Sequence, residues 1–211
     1  MLTGHSVRFS LLTTLFVAWA ATLAFPRPAY GAPILGPSRP VLRGTIVWPQ
    51  GMRRAPAFAL RDQNAHLITL ASLHGHVVAV TFLDSHCRQA CPVAGRDLAL
   101  AQRDLGRHPP LTVVVISVAP KTDTPSSARS FVHTMGIGGR WHWLLGTQSQ
   151  LQRVWAAWGT YVKPARPDTI HTAAVYLVDQ AGYVRVADTV PFRSADLAGS
   201  VRALLITRPE K

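Results

Sequence analysis

The chain has 211 residues, 48% of them apolar, which suffices for one domain with a real core and is short for two. Its formal charge of +12 comes from 22 Lys and Arg against 10 Asp and Glu. The arginines are scattered, with no basic helix and no interleaving of aromatic and basic residues, which argues against nucleic acid as a partner and for a solvated basic surface close to a membrane.

The first ten residues are polar, with Arg8 and no acid, and Leu11 to Phe25 is uninterruptedly apolar. Pro26, Arg27, Pro28 and the small-residue run from Ala29 to Ala32 follow. A basic start, an apolar centre and small residues after it describe an export signal. The apolar stretch is shorter than the ~20 residues of a spanning helix. Residues 1–32 are therefore read as a signal peptide cleaved near Gly31 or Ala32, with an uncleaved N-terminal anchor as the alternative. Either places the remainder outside the cytoplasm, secreted or membrane-anchored and facing outward. Residues 33–54 are rich in Pro and Gly, lack periodicity and read as a linker. Residues 55–211 form the domain.

Within the domain, Asp62-Gln63-Asn64 is a turn and His66 to Leu70 a short strand. His76 to Leu83 is β-branched and apolar, as a strand covered on both faces should be. Pro92 to Leu105 has helical spacing, and Leu111 to Val118 is a second buried strand. Thr124-Pro125 opens a helix that stops near Gly136, with threonine at the N-cap and proline in the first turn. Trp141 to Leu145 is a strand, and Thr147 caps a helix through Trp158. Ala173 to Val178 and Tyr183 to Ala187 flank a turn and read as a hairpin. Ser194 starts a last helix. This order gives an α/β fold, a mixed central sheet with helices on both faces.

Only two cysteines exist, Cys87 and Cys91. A disulfide between them would close a loop too short to add much stability, so chemistry explains the pair better than a structural staple does. Cys87 falls in the loop after a buried strand and Cys91 in the first turn of the next helix, where free N–H groups and the dipole favour thiolate. Two thiolates on one face suit Cu(I), Zn(II) or reversible disulfide exchange.

Further motifs carry a resemblance. In order they are Ala55 to Asp62, Leu73-His74-Gly75-His76, the cysteine pair with Pro92, Thr122 to Pro125, Trp143 to Thr147, and His171 to Asp179 with Gly182. Over about residues 55–207 this resembles the Sco/SenC family. The resemblance implies a thioredoxin-like fold, copper bound by two cysteines and a histidine, and a part in assembling the copper centre of cytochrome c oxidase, with thiol-disulfide reduction in some members. By motif position the metal ligands are Cys87, Cys91 and His171. Thioredoxin-type oxidoreductases usually carry a cis-proline in the loop where this chain has Asp168 to Thr172, and a histidine there would face both sulfurs. Arg88 and Ala119 stand where the family usually has proline and aspartate. His86 is read as an exposed bystander. Asp84 is expected to tune the cysteines or to touch Cu(II), and Asp123 to serve the turn and helix start rather than to bind the metal.

The function implied is an exported metallochaperone that carries copper, as Cu(I) with Cu(II) also open, to the copper-bearing subunit of cytochrome c oxidase or another exported acceptor. The alternative is a thiol-disulfide oxidoreductase in which Cys87 and Cys91 are catalytic and cycle through a disulfide. Either implies an external thiol reductant.

Overall fold

The computed structural model describes residues 41–165 and 168–206. The expected export segment lies outside the described residues, and no helix among those described is long and apolar enough to cross a membrane.

Strand propensity and burial reinforce each other most strongly in the run Val77–Leu83. With β1 at Ile46–Val47, β2 at Ala59–Arg61 and β3 at Leu67–Thr69, this run is β4, and every residue in it is buried. Alternation divides its side chains between two cores. Val77, Ala79 and Leu83 join one cluster, and Val78, Val80 and Phe82 the other. Helix α1 (Ala90–Asp104) leads to β5 (Leu111–Ser117), which pairs parallel to β4 and is equally buried. Helix α2 (Pro125–Met135), strand β6 (Arg140–Leu144) and helix α3 (Gln148–Trp158) follow. Strands β7 (Val162–Lys163) and β8 (Ile170–His171) pair only with each other. Strands β9 (Ala174–Val178) and β10 (Val184–Thr189) precede helix α4 (Ser194–Ile206).

The six-stranded sheet runs β1-β10-β9-β4-β5-β6. β4, β5 and β6 are parallel, and β9, β10 and β1 add antiparallel pairings. Helices α1, α2 and α4 cover one face, and α3 with the β2–β3 ribbon covers the other. This is the expected mixed sheet with helices on both faces. Both threonine caps are present. Thr124 and Thr147 each accept from the backbone three residues on, and Ser127 and Gln150 reciprocate.

One difference concerns residues 41–54, part of the segment read as a linker. Ile46 and Val47 pair with Ala187 and Val186, and the Trp48 amide donates to the Arg185 carbonyl at 2.9 Å. Two consecutive β-branched residues are too short a run to show periodicity. Pairing with β10 provides what periodicity could not announce.

Candidate metal centre

The C-terminal ends of the parallel strands β4 and β5 lie side by side, the usual place for sites in open α/β sheets. Asp84 follows β4 directly and organises the loop to α1. Its Oδ1 accepts the His86 amide at 2.8 Å, and its carbonyl accepts the Cys87 amide at 3.2 Å. Such a side chain-to-backbone turn fixes a loop without regular structure. From the end of β5 comes a second anchor, Asp123. Its Oδ1 accepts from the Ser85 amide at 2.9 Å and the Ser85 hydroxyl at 2.6 Å, and its Oδ2 from Ser117 Oγ at 2.6 Å. Burial pushes the Asp123 carboxyl up, and its hydrogen bonds with Ser117 and Ser85 oppose that rise.

Cys87 and Cys91 emerge from this loop as buried free thiols. Helix α1 starts at Ala90 with no side-chain cap and no acid in its first turn, so its N-terminal dipole is uncompensated. The Cys87 sulfur takes up that potential. A hydrogen bond from the Cys91 thiol, helped by the Cys91 and Gln89 amides, outweighs burial and lowers the Cys87 pKa to about 6. Cys91 is pushed up, because its proton makes that bond and because it is wholly buried. The reduced pair is thus a thiolate beside a thiol.

His171 arrives from the other side, on β8. Pairing of Val162 with His171 and of Lys163 with Ile170 forms a minimal ribbon. The Thr172 amide donates to the Tyr161 carbonyl at 2.9 Å and the Tyr161 amide to Thr172 Oγ1 at 3.1 Å. Downstream, Thr81 Oγ1 in β4 donates to the Ala174 carbonyl at 2.9 Å, which ties the ribbon's exit to the strand that leads to the cysteines. His171 Nε2 lies 3.6 Å from Cys91 Sγ, and Nδ1 lies 3.0 Å from the Thr172 carbonyl. A carbonyl only accepts, so Nδ1 carries a proton, and a ring of that tautomer presents its Nε2 lone pair to the sulfur. Outer contacts of this kind hold metal-binding histidines in the right tautomer.

Cys91 thus joins the sequence-derived ligands, hydrogen-bonded to Cys87 on one side and 3.6 Å from His171 on the other, although 80 residues separate Cys91 from His171. Two sulfurs and one imidazole nitrogen are a soft donor set that fits copper in its Cu(I) state. Two other readings need correction. His86 is exposed yet not a bystander, since its Nδ1 lies 3.1 Å from Ser85 Oγ and 3.9 Å from Oδ1 of both Asp84 and Asp123. Asp123 is more than a helix-start residue, because it locks the cysteine loop to β5. The β7–β8 ribbon had no sequence signal, its strands being two residues each.

Asp84 and His86 also line a cavity of about 930 Å³, with Ala119, Lys121, Trp155 and Thr169 among its other walls. The Trp155 indole is fixed by donation from Nε1 to the Ser117 carbonyl at 3.0 Å.

The SCO1/SenC family model matches residues 49–205. An SCO2-like protein of Rickettsia typhi is 20% identical over 152 residues, 69% of this chain and 75% of its own length. Among solved structures, Bradyrhizobium japonicum ScoI with copper bound is 24% identical, covering 72% of this chain and 99% of its own, with a TM-score of 0.64. BsSco, described with a disulfide switch and as a member of the Sco family of cytochrome c oxidase assembly proteins, is 21% identical, covering 77% and 99%, at a TM-score of 0.64. The fold is thioredoxin-like, and by the extent of the family match the chain belongs to the SCO1/SenC family.

Proposed function

We propose that this protein is an extracytoplasmic copper metallochaperone that binds Cu(I) through Cys87, Cys91 and His171 and delivers it to the copper centre of cytochrome c oxidase. The observation that carries the reading is the 3.6 Å approach of His171 Nε2 to Cys91 Sγ, with the Nδ1 proton held on the Thr172 carbonyl. A family of copper-bound relatives and the apolar run from Leu11 to Phe25 support the cargo and the compartment.

Each residue then has a defined part. Cys87 is already deprotonated near neutral pH and supplies the first thiolate without cost. Cys91 must release its proton as copper binds, so loading liberates a proton. His171 completes the set as a neutral donor. Three donors leave room for an incoming thiolate or imidazole of an acceptor, which allows transfer by stepwise ligand exchange rather than through free ion.

One observation favours a second reading. A thiolate at Cys87 backed by a buried thiol at Cys91 is the arrangement of a disulfide reductase. Cys87 would attack a partner disulfide and release one partner thiolate. Cys91, its proton passed to that released thiolate, would then attack the Cys87 sulfur of the mixed disulfide and release the second partner thiolate, leaving a Cys87–Cys91 disulfide for an external thiol reductant to restore. This route does not use the His171 lone pair.

Titration of the reduced full chain with Cu(I) against a competing chelator, beside His171→Ala, separates the two. One tight copper per chain, weakened by the substitution, supports the chaperone. Binding indifferent to His171, together with turnover on a disulfide substrate that the substitution leaves unchanged, moves the function to thiol exchange.

A further inference from the structure

Behind the cysteine loop lies a second set of donor atoms that the thiolate site does not use. Asp84 and Asp123 are 5% and 8% exposed, and their oxygens and the His86 ring nitrogen all lie within 4.8 Å of one another. His86 Nδ1 sits at 3.9 Å from Oδ1 of each carboxylate. Among the described residues neither carboxylate forms an ion pair with Lys or Arg, although the chain carries 22 such cations. Two buried carboxyl groups this close to each other and to an imidazole, with no Lys or Arg among the described residues bonded to either, leave their shared face open to a cation.

The trio is reachable. Asp84 and His86 line the cavity of about 930 Å³. Asp84 Oδ1 is engaged by the His86 amide, and among the described residues no donor meets its Oδ2. Between His86 and Asp123 stands one movable group, the Ser85 hydroxyl, 3.1 Å from Nδ1 and 2.6 Å from Oδ1. It also lies 2.8 Å from Ser127 Oγ, so it can give up both contacts and keep a partner. That rotation frees the imidazole nitrogen and one lone pair of Asp123 Oδ1, which still accepts the Ser85 amide.

We propose that Asp84, His86 and Asp123 form a second metal site, for a divalent first-row transition ion, distinct from the thiolate–imidazole site. Nitrogen and oxygen donors bind such ions at about 2.0–2.2 Å, which in a tetrahedral shell places donors ~3.4 Å apart, so the observed separations need to close by only a few tenths of an ångström for His86. Carboxylates are poor ligands for Cu(I). The chain thus presents two adjoining sites of opposite softness that share the loop from Asp84 to Cys91, and the cavity gives the harder site room for water or an acceptor's side chain to complete the shell.

The test uses Co(II) as the probe and the full chain carrying Cys87→Ser and Cys91→Ser, which removes the thiolate site and makes the outcome independent of it. One Co(II) per chain is expected, with d–d absorption and no thiolate charge-transfer band. Asp84→Asn and His86→Ala, each in that background, should weaken binding by about tenfold or more. Absence of binding, or binding that neither substitution moves, overturns the site. Should the serine background fail to fold, the unsubstituted reduced chain is titrated with Mn(II), which shuns thiolates. Loss of the free-ion electron paramagnetic resonance signal, restored by His86→Ala, supports the site, and an unchanged signal overturns it.

Discussion

The two halves of the proposed metal centre are built by opposite means. The cysteine half grows from a fully buried strand, is fastened by two buried aspartates and ends in a 15-residue helix. The histidine half hangs on a ribbon of two residue pairs, one of them formed by Ile170 at 56% exposure, with Tyr161 at 59% beside it. Free energy of local opening follows buried contacts and protected hydrogen bonds, so the histidine side is the cheaper one to move. The contrast suits a carrier. In the proposed carrier the two cysteines would stay as a fixed platform, and His171 would be the ligand withdrawn when the cargo leaves.

The largest expected effect removes the platform. Cys91→Ser should weaken Cu(I) by more than about 100-fold, beyond what outer contacts cost a metal site, and should leave a Cys87 unable to complete any disulfide turnover. Competition with a chromophoric chelator reads the first and a disulfide-reduction assay the second. His171→Ala comes next, weakening Cu(I) by about 10- to 100-fold. Thiol exchange should be unaffected, and an equal loss in both assays would show that the two halves cannot be separated.

Reactivity against pH sharpens the comparison within the platform itself. The depressed pKa of Cys87, about 6, means that its thiolate is present above that value and is lost as pH falls through it. Alkylation of the metal-free reduced chain, corrected for intrinsic thiol reactivity and mapped by mass spectrometry, should fall about tenfold at Cys87 between pH 7 and pH 5. Cys91 should stay unmodified across that range, because burial and its hydrogen bond to Cys87 hold its proton.

Smaller effects separate the fastenings. Asp123→Ala removes the acceptor of the Ser117 hydroxyl and of the Ser85 amide, and should cost ~1–3 kcal/mol in urea unfolding. It should also loosen the cysteine loop, raising the Cys87 pKa read by the same alkylation. Thr172→Val removes only the bond from the Tyr161 amide and should cost about 1 kcal/mol or less, with a slight loss of copper affinity and an unchanged Cys87. If Thr172→Val unfolded the protein as readily as Asp123→Ala, the histidine ribbon would not be the looser half.

The same contrast explains what the sequence made legible. Runs such as Val77–Leu83 and Leu111–Ser117 declare themselves because burial on both faces demands continuous apolar residues. Thr124 and Thr147 declare their helices through local capping chemistry. The placement of Cys91 at a helix start follows from the buried strand that ends at Leu83 and the helical spacing that begins at Pro92. The β7–β8 ribbon was invisible, since two-residue strands with one half-buried position each carry no periodicity. His171 was found through motif resemblance rather than through any pattern in its surroundings. Asp123 hid in plain view. Its position before a capping threonine accounts for it locally, and the bonds to Ser85 span 38 residues that no local rule connects. His86 was misjudged for the same reason, because its neighbours Asp84 and Asp123 meet only after β4 and β5 have paired.

The central claim is that His171 and both cysteines hold one copper ion. X-ray absorption at the copper edge of the Cu(I)-loaded full chain tests it most directly. The account requires a three-coordinate ion with two sulfur neighbours and one imidazole nitrogen, the latter lost in His171→Ala. A two-coordinate ion bound by sulfur alone, unchanged by that substitution, would contradict it.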